Sequence, residues 1–318
     1  MSITRRSIIN GLAAAALLTA GFIAPASAQL KEVRIGFQKA GIFPAVKQRG
    51  TIEAALKSRG IHVRWVEFQF GPPILEAINT GNVDFGYAGD APPIFAQAAR
   101  ANLLYVAAVP SIGYNQGIVV PADSPIKTLA DLKGKKVGFG KGSSANNTIV
   151  AALEKAGLTY SDITPAYLGP ADAVAAFASG NIDAWSIWDP YLSLAEDKKA
   201  RVIAFSKDVQ ESNSFFLANK EFTAAHPAIV ALFNDTFAQE GKWANSNRAE
   251  VAAKLHEATG VDKTATTRAV ERSSYTLQPI SDKIIATQQE TADRFFKLGL
   301  IPKAVDVKEI VWKWTPGS

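Results

Sequence analysis

The chain says nearly the same thing twice. Arg34-Ile35-Gly36-Phe37-Gln38-Lys39 returns about a hundred residues later as Lys136-Val137-Gly138-Phe139-Gly140-Lys141. Ala77 to Asp90 (AINTGNVDFGYAGD) returns as Ala176 to Asp189 (AFASGNIDAWSIWD), and proline follows both copies, at Pro92 and at Pro190. The longer pair keeps Gly81/Gly180, Asn82/Asn181, Asp84/Asp183 and, six residues on, Asp90/Asp189. Two similar α/β units in one chain predict two lobes that face each other, with matching loops lining a shared cleft. Such a cleft is a preferred place to hold a small molecule.

A length of 318 residues allows one large or two ordinary domains, and 47% hydrophobic residues is normal for a globular core. Residues 1–28 read as a secretory signal. Arg5-Arg6 precedes an apolar run from Gly11 to Ile23, and Ala26-Ser27-Ala28 supplies a small-residue cleavage site. Thr4-Arg5-Arg6-Ser7-Ile8-Ile9 fits the twin-arginine export pattern, and equally an ordinary Sec signal that carries two arginines. The apolar run is shorter than the roughly 20 residues a membrane span needs, and no later segment reaches that length, so no direct membrane insertion is expected. Removing the signal takes two arginines and no acid from a net charge of +5. The balance left is too small to imply nucleic acid, and there is no basic run with interleaved aromatics. A weakly positive surface favours the approach of a small anion. Cysteine is absent, which excludes disulfides, thiol nucleophiles, cysteine metal sites and a lipid anchor at the mature N-terminus. A soluble, unanchored periplasmic protein is expected, large enough to bury a core without cross-links.

Alternating and apolar runs predict strands at 33–38, 63–68, 83–87, 104–109, 117–120, 136–139, near 167, and at 182–187, 202–205 and 214–218. Helices are expected between them, including one long helix over 43–59, one capped at Asp90 and running to about Arg100, and one from Ser143 to about Ala156. Thr128-Leu129-Ala130-Asp131 fits a capping box with Asp in place of the usual acid. Alternation of this kind predicts mostly parallel sheets. Beyond about Lys220 the pattern becomes helical, at 224–243, 248–259, 263–273 and 282–298, before a tail over 305–314 with two tryptophans. No flexible linker separates these helices from what precedes them, so they are expected to pack on the first lobe. The chain then crosses between lobes twice, near Gly117–Pro121 and near Asn213–Ala218, which makes a hinge.

Ligands of open α/β sheets bind beyond the carboxyl ends of the strands. There the chain places Gln38 to Gly41, then Gly89 and Asp90, then Lys141 to Asn146, and then Trp188 and Asp189. Helices are expected to begin just past three of these loops, with first-turn N–H groups that lack partners and carry partial positive charge. Gly142-Ser143-Ser144 is the sharpest local signal: close backbone approach, two hydroxyls and a helix N-terminus suit a tetrahedral oxyanion. The plainer reading is a serine N-cap after a flexible glycine. Asp90 and Asp189 sit awkwardly beside an anion. Both cap their helices, or one reads an amine or hydroxyl on a ligand's tail. Trp188 is placed to form an apolar wall, and Trp185 alternates away from it into the core. Lys39 and Lys141 either offer charge or are solvated. Catalytic parts are missing: His62, His226 and His256 lack metal-ligand spacing, Gly138-x-Gly140-x-Gly142 lacks the full dinucleotide fingerprint, and there is no Gly-x-Ser-x-Gly elbow. No enzyme activity, cofactor or metal is expected.

RIGFQKAG at Arg34–Gly41, GDAPPIFAQAA at Gly89–Ala99, SPIKTLADLKGKKVGFGKGSSANN at Ser124–Asn147, YLGPADAVAAFASGNIDAWSIWDPY at Tyr167–Tyr191 and QQETADRFFKLGLIPKAVD at Gln288–Asp306 resemble the aliphatic sulfonate-binding proteins of bacterial ABC importers. The resemblance covers nearly the whole mature chain. It implies an α/β, two-lobed periplasmic binding protein fold of type II kind, with two mixed or parallel sheets, flanking helices and a hinge of two crossings. The expected divisions are a signal peptide over 1–28, a discontinuous first lobe over 29–118 plus 217–318, and a second lobe over 119–216. The resemblance also implies a sulfonate held by backbone N–H groups and small polar side chains. By position, Gln38, Gly89, Asp90, Gly142, Ser143, Ser144, Asn146, Trp188 and Asp189 stand in the matching motifs, with Gln116 and Ser214 near the crossings as further candidates. The implied partners are a small organic sulfonate and a membrane ABC permease, the implied role is sulfur uptake, and the chain is expected to be a monomer. Tyr87-Ala88 and Ala145 depart from the commonest members, which bears on the size and polarity of the ligand's tail. Wider relatives bind nitrate, taurine or vitamin precursors, and some proteins of this fold are enzymes. Another small anion, taurine, or an exported enzyme therefore stand as alternatives, although a cysteine-dependent desulfinase or cofactor-synthesis role is excluded. Since neither a sulfonate nor the expected donors titrate near neutrality, affinity is expected to be flat from about pH 5 to 8.

Overall fold

The sequence repeat becomes a repeat of topology. A computed structural model describes residues 30–317, and the expected export signal lies outside the described residues. The chain opens with β1 (Glu32–Phe37), α1 (Phe43–Arg49), α2 (Thr51–Lys57), β2 (His62–Glu67), α3 (Gly71–Asn79), β3 (Phe85–Ala88), α4 (Ala91–Ala98) and β4 (Leu103–Pro110). It continues through β5 (Gln116–Val120), β6 (Lys136–Phe139), α5 (Ser144–Lys155), β7 (Thr164–Tyr167), α6 (Pro170–Ala178), β8 (Ala184–Trp188), α7 (Tyr191–Asp197) and β9 (Arg201–Phe205). It returns along β10 (Asn213–Asn219) and ends in α8 (Lys220–Ala225), α9 (Pro227–Ser246), α10 (Arg248–Thr259), α11 (Lys263–Glu271) and α12 (Asp282–Lys297).

Two five-stranded sheets result, ordered β2-β1-β3-β10-β4 and β7-β6-β8-β5-β9. In each, the first three strands are parallel and the fourth runs antiparallel to both neighbours. That antiparallel strand is the one the chain lays down on arriving from the other sheet. The connecting segments are 111–115 and 206–212, tied to one another by Ser111 N–H to Ser212 O (3.1 Å) and Lys207 N–H to Gly113 O (3.1 Å). The crossings expected at 117–121 and 213–218 instead fall within or against β5 and β10. Those apolar residues pair on both sides, so the change of sheet falls in the polar residues ahead of them.

The repeated polar residues hold the two units in register. Asp84 accepts from the Arg34 backbone N–H (2.7 Å) and from its guanidinium (3.0 and 2.5 Å), while its own N–H donates to Arg34 O (2.9 Å). In the second unit Asp183 accepts from Lys136 N–H (2.7 Å) and donates to Lys136 O (2.8 Å). Asn82 donates to Thr80 Oγ1 and Asn181 to Ser179 Oγ, both at 2.9 Å. These bonds pin the strand after each helix beside the strand before it.

The helix expected over 43–59 breaks at Gly50, which adopts a left-handed conformation and closes α1 onto the carbonyls of Val46 and Lys47. Thr128 and Asp131 form the expected capping box, on a single 3₁₀ turn. The second sheet buries Ile118, Val119, Phe139 and Trp185 in one core with Ile149 of α5 and Ala173 of α6. Beneath the first sheet, Phe43, Phe85, Phe216, Phe233 and Phe237 form an aromatic cluster with ring centroids as close as 4.1 Å. Helix α9 is tied to β4 by Asn234 Nδ2 to Val106 O (2.9 Å), and the chain after α11 bridges β4 between Gln278 and Ala108. Helices α11 and α12 also reach the second sheet's side, which the packing expected from the sequence did not include. Arg268 pairs with Asp197 (2.7 Å), Arg272 with Glu196 (2.5 Å) and Arg294 with Glu154 (2.8 Å).

Candidate functional site

Between the two sheets lies a cavity of about 70 Å³, walled by residues of both units. The second unit contributes Asn115, Ser143, Ser144, Trp188 and Asp189. The first contributes Gln38, Gly89, Ser214 and an apolar side made of Ile42, Tyr87, Val109, Phe216, Phe237 and Leu277. Seven of the residues singled out in the sequence meet here: Gln38, Gly89, Ser143, Ser144, Trp188, Asp189 and Ser214.

The other four are not on the wall. Gly142 carries the left-handed φ of +69° that turns the loop into α5, and its N–H donates to Asn146 Oδ1 (3.1 Å). Asn146 therefore braces the loop from behind. Gln116 donates to Ser144 O (3.1 Å) and to Thr148 Oγ1, and accepts from Ser144 Oγ (2.7 Å). Asp90 is 1% exposed, with both carboxylate oxygens engaged: one accepts from Ala91 N–H (2.8 Å), the other from Asn147 Nδ2 (2.7 Å). Lys39 turns to Thr259 O (3.4 Å) and Lys141 lies over the Tyr167 ring (5.3 Å).

The hydroxyls of the Gly-Ser-Ser loop are already spent as donors, Ser143 on Gly140 O (2.7 Å) and Ser144 on Gln116. What remains free is main chain. The N–H groups of Ser144 and Ala145 precede the first intrahelical bond of α5, and among the described residues they donate to nothing else. A second of the expected helix termini differs: α4 begins Ala91-Pro92-Pro93, so its first turn holds one N–H, taken by Asp90, and two prolines. Gln38 donates to Tyr87 O (3.3 Å), which leaves its second amide proton uncommitted.

Among the described residues no lysine, arginine or histidine lines the cavity, and Asp189 is its one charged residue. Asp189 Oδ1 accepts from Ser193 N–H (2.9 Å) and Ser193 Oγ (2.7 Å), and Oδ2 has no partner among the described residues. Burial raises its pKa to about 6, against the opposing pull of Ser193 and Arg272. Burial likewise raises Asp90 to about 6, against the Asn147 and Ala91 bonds. The expectation of a pH-independent site took no account of these two groups.

The sequence reading missed the apolar side and the Ser273-Ser274-Tyr275 segment that joins it. Phe237, Ser273, Ser274, Tyr275 and Leu277 come from the helical end of the chain, outside the repeat. The one available signal was Tyr87, whose ring packs on Phe43 (5.5 Å) and Phe216 (5.7 Å).

Two lobes of matching topology, joined by two crossings with a cavity between them, have the two-lobed fold of the periplasmic binding proteins. The family model described as NMT1/THI5 like matches residues 56–249. A protein of Escherichia coli (strain K12) bearing the name aliphatic sulfonates-binding protein is 40% identical over 98% of this chain and 98% of its own length. The alkanesulfonate-binding protein SsuA from Xanthomonas axonopodis pv. citri, solved bound to MOPS, matches with a TM-score of 0.86 and 41% identity over 90% of this chain and 99% of that one. The periplasmic aliphatic sulphonate binding protein SsuA from Escherichia coli matches with a TM-score of 0.80 and 39% identity, over 91% and 94% of the two chains. The chain belongs to the aliphatic sulfonates-binding protein family, within the NMT1/THI5-like group.

Proposed function

We propose that this protein captures an alkanesulfonate between its lobes in the periplasm and hands it to a membrane ABC permease for sulfur uptake. The observation that carries the reading is a cavity that, among the described residues, has no basic side chain, and that is bordered by Ser143 and Ser144 where the amides of Ser144 and Ala145 remain uncommitted. A sulfonate suits such a wall. Its charge is permanent and spread over three acceptor oxygens, which directed N–H donors satisfy without a counter-ion. The apolar side from Ile42 to Leu277 would take the tail. Each helix-terminus contribution is about 0.3–2 kcal/mol, while micromolar binding needs about 8 kcal/mol. Donors from both lobes and burial of the tail must therefore act together.

In this reading the crossings at 111–115 and 206–212 are the hinge, and the lobes follow the two sheets. Export through the 1–28 signal, by the twin-arginine or Sec route, delivers the chain to the periplasm, where it acts as a monomer. It captures its ligand without breaking a bond. Calorimetric titration with an alkanesulfonate series, followed by mass spectrometry of the recovered ligand, tests this. The expected outcome is one-to-one binding with unchanged ligand, and no binding of the corresponding neutral alcohols. Failure of every sulfonate to bind, or appearance of a product, would overturn it.

A further inference from the structure

Asp90 and Asn147 meet across the cleft, and neither lines the cavity. Asn147 is 0% exposed and donates to Asp90 Oδ2 at 2.7 Å. The direction of that amide is fixed from its other side, where Arg294 of α12 donates to Asn147 Oδ1 (3.1 Å) while also holding Glu154 (2.8 Å) and Gln210 (3.2 Å). Asp90 is fixed as well: Gln288 donates to its carbonyl (2.6 Å) and to the Tyr105 hydroxyl (3.0 Å). Asp90 directly follows Gly89, and Asn147 stands one turn along α5 from Ser144. Gly89 and Ser144 both face the cavity and nearly touch; a Cβ at Gly89 would lie 2.7 Å from Ser144 Cβ.

We propose that Asp90 and Asn147 are positioning residues for ligand binding: their hydrogen bond brings Gly89 of one lobe against Ser144 of the other and sets how firmly the closed cleft keeps its ligand. A hydrogen bond to a buried carboxylate is stronger than a neutral one and loses most when a partner is removed. Opening the lobes breaks this bond, so its strength enters the closing equilibrium and, through it, the apparent affinity. The second copy of the repeated aspartate sits in a comparable place. Asp189 holds Ser193, whose carbonyl accepts from Arg268 of α11 (3.1 Å) across the same boundary. The repeat thus places an aspartate at the boundary in each lobe, and Asp90 is the copy whose carboxylate bonds across it.

The test compares wild type, Asn147→Asp and the exchanged pair Asp90→Asn/Asn147→Asp, each titrated with 1-butanesulfonate. The proposal goes beyond the sulfonate reading but uses its ligand as probe. Silence of the wild type would sink that reading, whereas wild-type binding with unaffected variants would sink only this one. Asn147→Asp sets two carboxylates face to face, with Arg294 and the Tyr105 hydroxyl as the other titratable groups around them. Expected is a loss of at least about tenfold near pH 8 (about 1.4 kcal/mol), and a smaller loss near pH 5.5, where the pair shares a proton. The exchanged pair restores one donor and one acceptor, with the new acid beside Arg294, and is expected within about threefold of wild type. Small-angle scattering of the ligand-free proteins should show Asn147→Asp more open than the other two. An unchanged affinity in Asn147→Asp, or an exchanged pair as weak as the single variant, overturns the proposal.

Discussion

Gly89 illustrates how one missing carbon shapes this protein. Its conformation is open to any residue, yet a side chain there would run into Ser144 from the opposite lobe. Gly89→Ala is expected to leave the ligand-free fold intact and to weaken sulfonate binding at least about tenfold by holding the lobes apart. Adding Ser144→Gly removes the obstructing Cβ and leaves the Ser144 Cα position 3.8 Å away, so the double variant should recover much of the loss. Titration of the two variants checks this; equal affinities would refute it. Asp189 gives the residue-scale pH dependence. Its folded pKa, about 6, lies above its ordinary value of 3.8, so between those values the folded state binds the proton more tightly than the unfolded. The stability this group contributes is full below about pH 4 and is lost as pH rises through 6. The same ionisation places a negative charge on the wall of a site for an anion. Affinity for simple alkanesulfonates should therefore fall from pH 5 to pH 8, and Asp189→Asn should lessen the slope, leaving what Asp90 contributes. A flat wild-type curve would remove Asp189 from any influence on the ligand.

The loop entering α5 was legible because its chemistry is local: a glycine, two serines and a helix start can be read in sequence order. The destination of the serine hydroxyls was not legible, since Gly140 O and Gln116 become acceptors only once the loop has turned and β5 lies alongside. Helix α4 shows a misreading of another kind. Asp90 and Pro92 do mark its start, but the prolines that favour that start also remove the N–H groups an anion would use. Arg268 on α11, Arg272 just past its end and Arg294 on α12 lie in segments read only as helical, and spacing cannot reveal a partner 70 or more residues away. These arginines are partly exposed, so each tie is worth roughly 0–1 kcal/mol and is screened by salt. Together they span the cleft beside the ligand cavity. Arg268→Ala/Arg272→Ala is expected to speed ligand release several-fold in dilute buffer, with the difference from wild type shrinking at high salt. Stopped-flow release rates decide; a salt-independent gap would mean the arginines act through packing instead.

Over the whole molecule, two lobes and their parallel units were readable from the repeat, while the exact places where the chain changes sides were not. Residues 117–120 and 214–218 read correctly as strands, but the crossings were placed on the same stretches; each is an interior strand with neighbours on both edges, and the chain changes sides just ahead of it. The cavity also has a scale that sequence could not give. About 70 Å³ is small beside the roughly 300–1,000 Å³ of ordinary ligand pockets. A sulfonate with its tail needs more room, so entry requires the lobes to part about the crossings that hold them. The arrival of β10 carries a further consequence. All five strands of the second sheet lie within residues 116–205, whereas the first sheet waits for residue 213 before its gap between β3 and β4 is filled. A ribosome therefore delivers a chain whose later-made sheet can finish first, and whose earlier sheet stays incomplete, with two unpaired strand edges, until translation is past two-thirds.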